Sequence, residues 1–183
     1  MTTAPSPQFQ AELTKLLPNL RAFARSLTRS GDQADDLVQE ALMKAWRNWE
    51  QFAPDSNLKA WMFTILRNAY LSEIRKRKNE VQDVDGEFAG QVSVKAEQPG
   101  HMDMIDFQAA FAQLLPEHKE ALVLIGAEGF SYEEAALMCG CAVGTMKSRV
   151  NRARNKLAQI MGLESAAEIG TGEKSDLFVR TAV

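Results

Sequence analysis

Apolar residues recur every three or four positions through the first part of the chain. Leu13, Leu16, Leu17, Leu20, Phe23, Ala24 and Leu27 form one such stripe, the spacing that puts side chains on a single face of an α-helix. Pro18 falls inside it, and its missing amide N–H predicts that one helix ends and another begins there. Ser30-Gly31-Asp32 reads as a stop followed by a cap. Beyond it Ala34, Leu37, Val38, Ala41, Leu42, Ala45, Trp46 and Trp49 predict a strongly amphipathic helix. Phe52 to Ser56, with Pro54 inside it, reads as a loop. Ser56 or Asn57 can then cap a long helix whose stripe runs through Leu58, Trp61, Met62, Ile65, Leu66, Ala69 and Ile74 and ends in the basic run Arg75 to Lys78.

The periodicity lapses from Glu80 to about Met104, where Asp83, Asp85, Glu87 and Glu97 gather with Gly86, Gly90 and Pro99-Gly100, as in a linker. A second helical block starts near Ile105, breaks at Pro116, resumes through Ala121 to Ala127 and stops at Gly129. The expected fold class is therefore all-α. Two small helical domains, residues 1–80 and 105–163, are joined by a flexible acidic linker over 81–104 and followed by a mobile tail over 164–183.

Composition narrows the function without naming it. The chain has 183 residues, 45% hydrophobic and 25% charged, as a soluble globular protein does. Its longest apolar runs fall well short of the ~18 residues that span a bilayer, and the N-terminus lacks a basic-then-apolar signal, so a cytoplasmic location is expected. Cys139 and Cys141 are one residue apart, which fits a reducing compartment better than a disulfide framework. The net charge of −3 is uninformative until divided. Residues 1–80 and 109–163 carry a basic excess, while 81–108 and 164–183 carry the acidic one.

The second domain holds the most specific pattern. Ser131-Tyr132-Glu133-Glu134 has the residues of a capping box. Gly140 follows four residues after the small Ala136, the arrangement of a helix-turn-helix whose helices approach closely. In the next helix, which starts near Gly144-Thr145, Val143, Met146, Val150, Ala153 and Leu157 share an inward face. Lys147, Ser148, Asn151, Arg152, Asn155 and Lys156 point outward. Lys147, Arg149, Arg152, Arg154 and Lys156 occur without an intervening acid. Arg and Lys pair with guanine, Asn with adenine and Ser or Thr with several base edges, so this face suits a major groove. A structural helical hairpin would have to explain five cations without a counter-charge.

Other patterns are weaker. Cys139-Gly140-Cys141 could be half of a metal site, yet His101 and His118 are distant and no second cysteine pair exists. Asp32, Asp35, Asp36 and Glu40 have a spacing that can hold Mg²⁺ in helical enzymes. Such enzymes need a second acidic motif and a longer chain, so the expectation is a non-catalytic protein without a cofactor. A protein-binding face, with Met43 and Trp46 as apolar anchors beside Lys44, and a merely solvated helix face are the remaining readings. The aromatics Trp46, Trp49, Phe52, Trp61, Phe63 and Tyr70 could stack on unpaired bases, but at helical spacing most of them belong to the core.

Taken in order, Asp35-Asp36-Leu37-Val38-Gln39-Glu40 with Trp46, Leu58-Lys59-Ala60-Trp61 leading into Arg67-Asn68, Ser131-Tyr132-Glu133-Glu134, and Gly144-Thr145-Met146-Lys147-Ser148-Arg149 with Arg152-Ala153-Arg154 resemble the extracytoplasmic function (ECF, group IV) bacterial sigma factors. The likeness spans about residues 10–80 and 105–160. Ile74 to Lys78 resembles the general-stress-response EcfG type of alphaproteobacteria. The resemblance implies a promoter-specific initiation subunit that binds core RNA polymerase at the β′ clamp helices and the β flap. Asp35, Asp36, Gln39 and Glu40 would meet the clamp. Asn57, Arg67, Asn68, Arg75 and Lys76 would serve the −10 element, Asn68 reading the non-template strand and the loop from Ala53 to Leu58 capturing a flipped base. Thr145, Lys147, Ser148, Arg149, Asn151, Arg152 and Arg154 would serve the −35 element, with Arg149 and Arg154 on phosphates. An anti-sigma factor of the NepR type is the implied inhibitor.

Reach is compatible with this. Elements separated by roughly 16–17 base pairs lie about 55 Å apart, and a linker of about 24 residues extends to ~80 Å. A standalone helix-turn-helix regulator whose first domain dimerises or senses a ligand remains the alternative.

Overall fold

The computed structural model describes residues 5–28, 30–53, 56–82 and 104–163, and all of its regular elements among these residues are helical. Three helices form the first domain: α1 (Pro7–Leu27), α2 (Gly31–Arg47) and α3 (Leu58–Gln82), with a short 3₁₀ turn at Trp49–Gln51 between the last two. The second holds α4 (Met104–Ala112), α5 (Pro116–Leu122), a π-helical turn (Val123–Ala127), α6 (Tyr132–Cys139) and α7 (Val143–Ile160). The predicted acidic connection from 83 to 103 and the tail from 164 lie outside the described residues. No helix among the described residues is long and apolar enough to cross a membrane.

Most of the starts have a local cause. Ser6 accepts from the Phe9 amide and Pro7 occupies the first helical position of α1. Ser30 caps α2 through the Gln33 amide, and Asn57 caps α3 by accepting from the Ala60 amide at 3.1 Å. Pro116 opens α5. The expected break at Pro18 is corrected by the structure: α1 runs through it. Pro18 and Thr14 are both exposed, so water can satisfy the Thr14 carbonyl that the proline leaves without an amide partner. Phe9, Leu13, Leu20 and Phe23 are buried on both sides of it, and their packing outweighs the roughly 3 kcal/mol that an interior proline costs.

α1, α2 and α3 pack mutually, and α7 packs against α5 and α6, with α4 laid on α7. The two domains are not held apart, because α1 contacts α5 and α3 contacts α6. Their buried residues form one continuous apolar cluster. Phe63 sits at the junction, 1% exposed. Its ring stacks on Phe23 at 5.0 Å between centroids and meets Phe130 of the second domain edge-on at 5.2 Å. Phe9, Phe52 and Trp61 form a second aromatic group. Of the clustered aromatics only Trp46 is largely exposed, at 48%.

Phe63→Ala should therefore lower stability by about 3–5 kcal/mol, read as a lower urea midpoint. A midpoint equal to wild type would show that the junction carries little of the fold's stability.

Candidate nucleic-acid interface

The α6–α7 unit is a helix-turn-helix built by local rules. Ser131 accepts from the Glu134 amide at 3.1 Å while the Glu134 carboxylate accepts from the Ser131 amide at 2.9 Å, closing the capping box. Those bonds, the Ser131 amide foremost, hold the Glu134 carboxyl below the usual glutamate range, with Asn57 and Lys59 adding to the effect. α6 ends at Gly140, whose φ of +62° lies in the left-handed region that favours glycine. The Cys141 amide reaches back to the Ala136 carbonyl at 3.0 Å, completing a Schellman-type turn.

α7 then presents two faces. Met146, Val150, Ala153 and Leu157 are buried and Val143 is half-buried. Thr145, Lys147, Asn151 and Arg152 are exposed, while Ser148, Arg149 and Arg154 are half-buried. The Ser148 hydroxyl donates to the Thr145 carbonyl at 2.9 Å, so its oxygen remains an acceptor. Lys147 lies over the Tyr132 ring at 5.7 Å, and an Arg149 nitrogen is 3.9 Å from the Cys141 sulfur. None of Lys147, Arg149, Arg152, Arg154 and Lys156 forms an ion pair with another described residue. Their charge is available for phosphates and base edges.

The first domain's candidates divide. Asn68, Arg75 and Lys76 are exposed on α3. Asn57 and Arg67 are engaged by the second domain. The Asn57 amide donates to Glu134 at 3.2 Å, and the Arg67 Nε donates to Glu120 at 2.6 Å with side chains 13% and 10% exposed. Burial alone would lower the Arg67 pKa, but the Glu120 carboxylate offsets this and the net direction is up. Burial, with the Glu120 charge beside it, pushes the Cys139 thiol up to about 12, far from a reactive thiolate. Both cysteines are free, and among the described residues no group of three potential ligands could hold a metal.

On α2, Asp35, Asp36, Gln39 and Glu40 are all exposed. Asp35 pairs with Arg21 at 3.4 Å and Glu40 with Lys44 at 2.6 Å. Met43 is 50% exposed and follows them on the same face as Trp46, a mixed acidic and apolar surface suited to a protein partner.

Sequence reasoning missed Lys59, Glu120 and Glu128. Lys59 donates to the Glu128 carboxylate and to its backbone carbonyl, both at 2.8 Å, and Asn19 reaches the same carboxylate at 3.0 Å. Glu120 is the sole buried charged residue among those described. Its only local signal was its place one turn before the apolar Leu124.

Two family models cover the same halves: Sigma-70 region 2 matches residues 13–80 and Sigma-70, region 4 matches 104–157. The ECF RNA polymerase sigma factor EcfG of Rhodopseudomonas palustris is 50% identical over 159 residues, 87% of this chain and 88% of that protein. The chain belongs to the ECF sigma factors. SigM of Mycobacterium tuberculosis, another member, is 32% identical over 147 residues, 78% of this chain and 71% of its own. The sigma factor RpoE of Bartonella quintana, solved with the anti-sigma factor NepR, is 52% identical with a TM-score of 0.76, covering 87% of this chain and all of that one. CnrH, solved with the cytosolic domain of CnrY, gives 25% identity and a TM-score of 0.60 over 86% of this chain and 89% of its own. As an ECF sigma factor the protein is a promoter-specificity subunit whose partners are core RNA polymerase and promoter DNA.

Because the Glu134 pKa is depressed in the fold, its contribution to stability is present above the ordinary glutamate range and is lost as pH falls through the folded value. Glu134→Gln should accordingly be less stable than wild type at neutral pH and converge on it in acid, in denaturant titrations at several pH values. A gap that is constant with pH would remove the ionised cap from the account.

Proposed function

We propose that this ECF sigma factor reads the −35 element with α7 and holds an opened −10 segment on α3, as a non-catalytic subunit. The observation that carries the reading is the face of α7, where Lys147, Asn151 and Arg152 are exposed opposite the buried Met146, Val150, Ala153 and Leu157. Lys147, Asn151 and Arg152, with Thr145 and Ser148, have the donors and acceptors that discriminate base edges. Arg149 and Arg154, on the flanks, suit phosphates. On α3, Asn68 is exposed beside the helix that leads into Arg75 and Lys76, a geometry that supports a base contact followed by backbone contacts.

Asp35, Asp36, Gln39 and Glu40, continued by Met43 and Trp46, form the surface for the β′ clamp helices, and the second domain meets the β flap. The 52% identity to a sigma factor solved with NepR supports an anti-sigma partner of that type, and the EcfG relative supports a role in the general stress response. The absence of a membrane-crossing helix among the described residues is compatible with a cytoplasmic site of action.

Run-off transcription from a library of −35/−10 promoters with purified bacterial core polymerase tests the reading. Promoter-specific transcripts should depend on this protein, whereas binding to palindromic duplex without polymerase would favour a standalone regulator. Lys147→Ala and Arg152→Ala should each weaken promoter binding by about 1–3 kcal/mol, measured by titrating promoter fragments with the assembled holoenzyme. Unchanged affinity in both would take those two side chains out of the reading head. Asp36→Lys should weaken association with core polymerase in a competition assay while the circular dichroism stays that of wild type; full-strength association would place the clamp contact elsewhere.

A further inference from the structure

Lysine carries its charge on a flexible four-carbon stem and, unlike arginine, has no rigid fork to fix the direction of its donors. A lysine that tells one base pair from another therefore needs a neighbour that holds its ammonium in place. Lys147 is exposed near the start of α7 and pairs with no carboxylate among the described residues. What it meets is the ring of Tyr132, whose centroid lies 5.7 Å from Nζ, inside the ~6 Å over which an aromatic face attracts a cation. Tyr132 is itself fixed. It is the first residue of α6, directly after the Ser131 cap, and the two bonds of the capping box pin that turn. Its ring is half-buried and packs against the core, and the turn at Gly140 carries the chain into α7, which packs on α6.

We propose that Tyr132 is a positioning residue for −35 recognition: its ring holds the Lys147 ammonium over one place on the outward face of α7 and so sets which base edge that lysine reaches. An ammonium has three donors and no acceptor. The ring takes up one side of it, and the side turned away keeps donors for purine acceptors such as guanine O6 and N7. The contact exists in the chain without DNA, so part of the ordering of a long side chain is complete before the groove arrives. Arg152, on the same outward face, carries its own planar fork, and the ring therefore bears on the lysine alone. The inference rests on the assignment of Lys147 to the −35 element and deepens it by naming the residue that gives this lysine its direction. The Tyr132 hydroxyl has no part in it.

The test uses the full chain, free and assembled with core polymerase. In the free chain the ring current of Tyr132 should shift the Lys147 ε-methylene protons upfield in the NMR spectrum, and the shift should persist in Tyr132→Phe and vanish in Tyr132→Leu. The holoenzyme is then titrated with a fragment carrying the preferred −35 element and with one changed at the base pair whose preference Lys147→Ala relaxes. Tyr132→Leu should lower the ratio of the two affinities by about two- to fivefold, and Tyr132→Phe should keep it at the wild-type value. In a chain that already carries Lys147→Ala, Tyr132→Leu should cost nothing more. A disturbance of α6 packing by leucine would instead appear equally in both backgrounds. Unchanged discrimination in Tyr132→Leu, a loss of the same size with and without Lys147, or a Tyr132→Phe that behaves as Tyr132→Leu does each overturns the proposal, the last by assigning the effect to the hydroxyl. A Lys147→Ala holoenzyme that discriminates as well as wild type overturns the −35 assignment of Lys147, and the inference with it.

Discussion

A carboxylate buried in an apolar interior must find a cation, because the desolvation of either charge alone amounts to several kcal/mol. Glu120 and Arg67 satisfy that requirement across the boundary between two helical domains, at 2.6 Å and with little access to solvent. Each finds its ion-pair partner in the other domain. Once they meet, Phe63 comes against Phe130 and Lys59 against Glu128, and the two cores become one. The relation between the domains thus follows from one electrostatic demand, with the aromatic contact supplying apolar burial around it. Pairs of this kind add little net stability, since well-packed apolar residues of similar volume could serve equally well, but removing one partner leaves an uncompensated buried charge.

The same demand divides the molecule by function. The parts that make the helix-turn-helix, the Ser131–Glu134 box and the turn at Gly140, close upon themselves and leave the outward face of α7 free. On α3 and its cap, Asn57 and Arg67 are engaged by the neighbouring domain, while Asn68 and Arg75 stay exposed. Glu134 belongs to both: it caps α6 and holds Asn57. Glu134 therefore couples the start of the helix-turn-helix to the position of the other domain.

What the sequence revealed and what it concealed separate along the range of the interactions. The helix starts at Ser30, Asn57 and Ser131, the left-handed glycine at 140 and the inward face of α7 all depend on neighbours within a few residues, so spacing alone exposed them, whereas Pro116 reads only as a break and not as the start of α5. Pro18 misled because a local propensity was overridden by burial of Leu13, Leu20 and Phe23 around it. Arg67 is expected only at the −10 element, and its pairing with Glu120 in another domain was not legible because no periodicity within either helix connects the two. The acidic face of α2 was legible as exposed but not as paired, since Arg21 comes from α1.

The turn from Val123 to Ala127 is wound as a π-helix, with the Glu128 amide bonded to the Val123 carbonyl five residues back. Such a turn contains one residue more than an α-helical path between the same points, and each residue of helix corresponds to roughly 100° of rotation. That extra residue sets the angular phase at which Glu128 and Phe130 leave α5. A single-residue change of length at this point would rotate both away from α3 while preserving the sequences of α6 and α7. Chain length at the π-turn is thus a register setting for the contact between the two domains, separate from the outward face of α7.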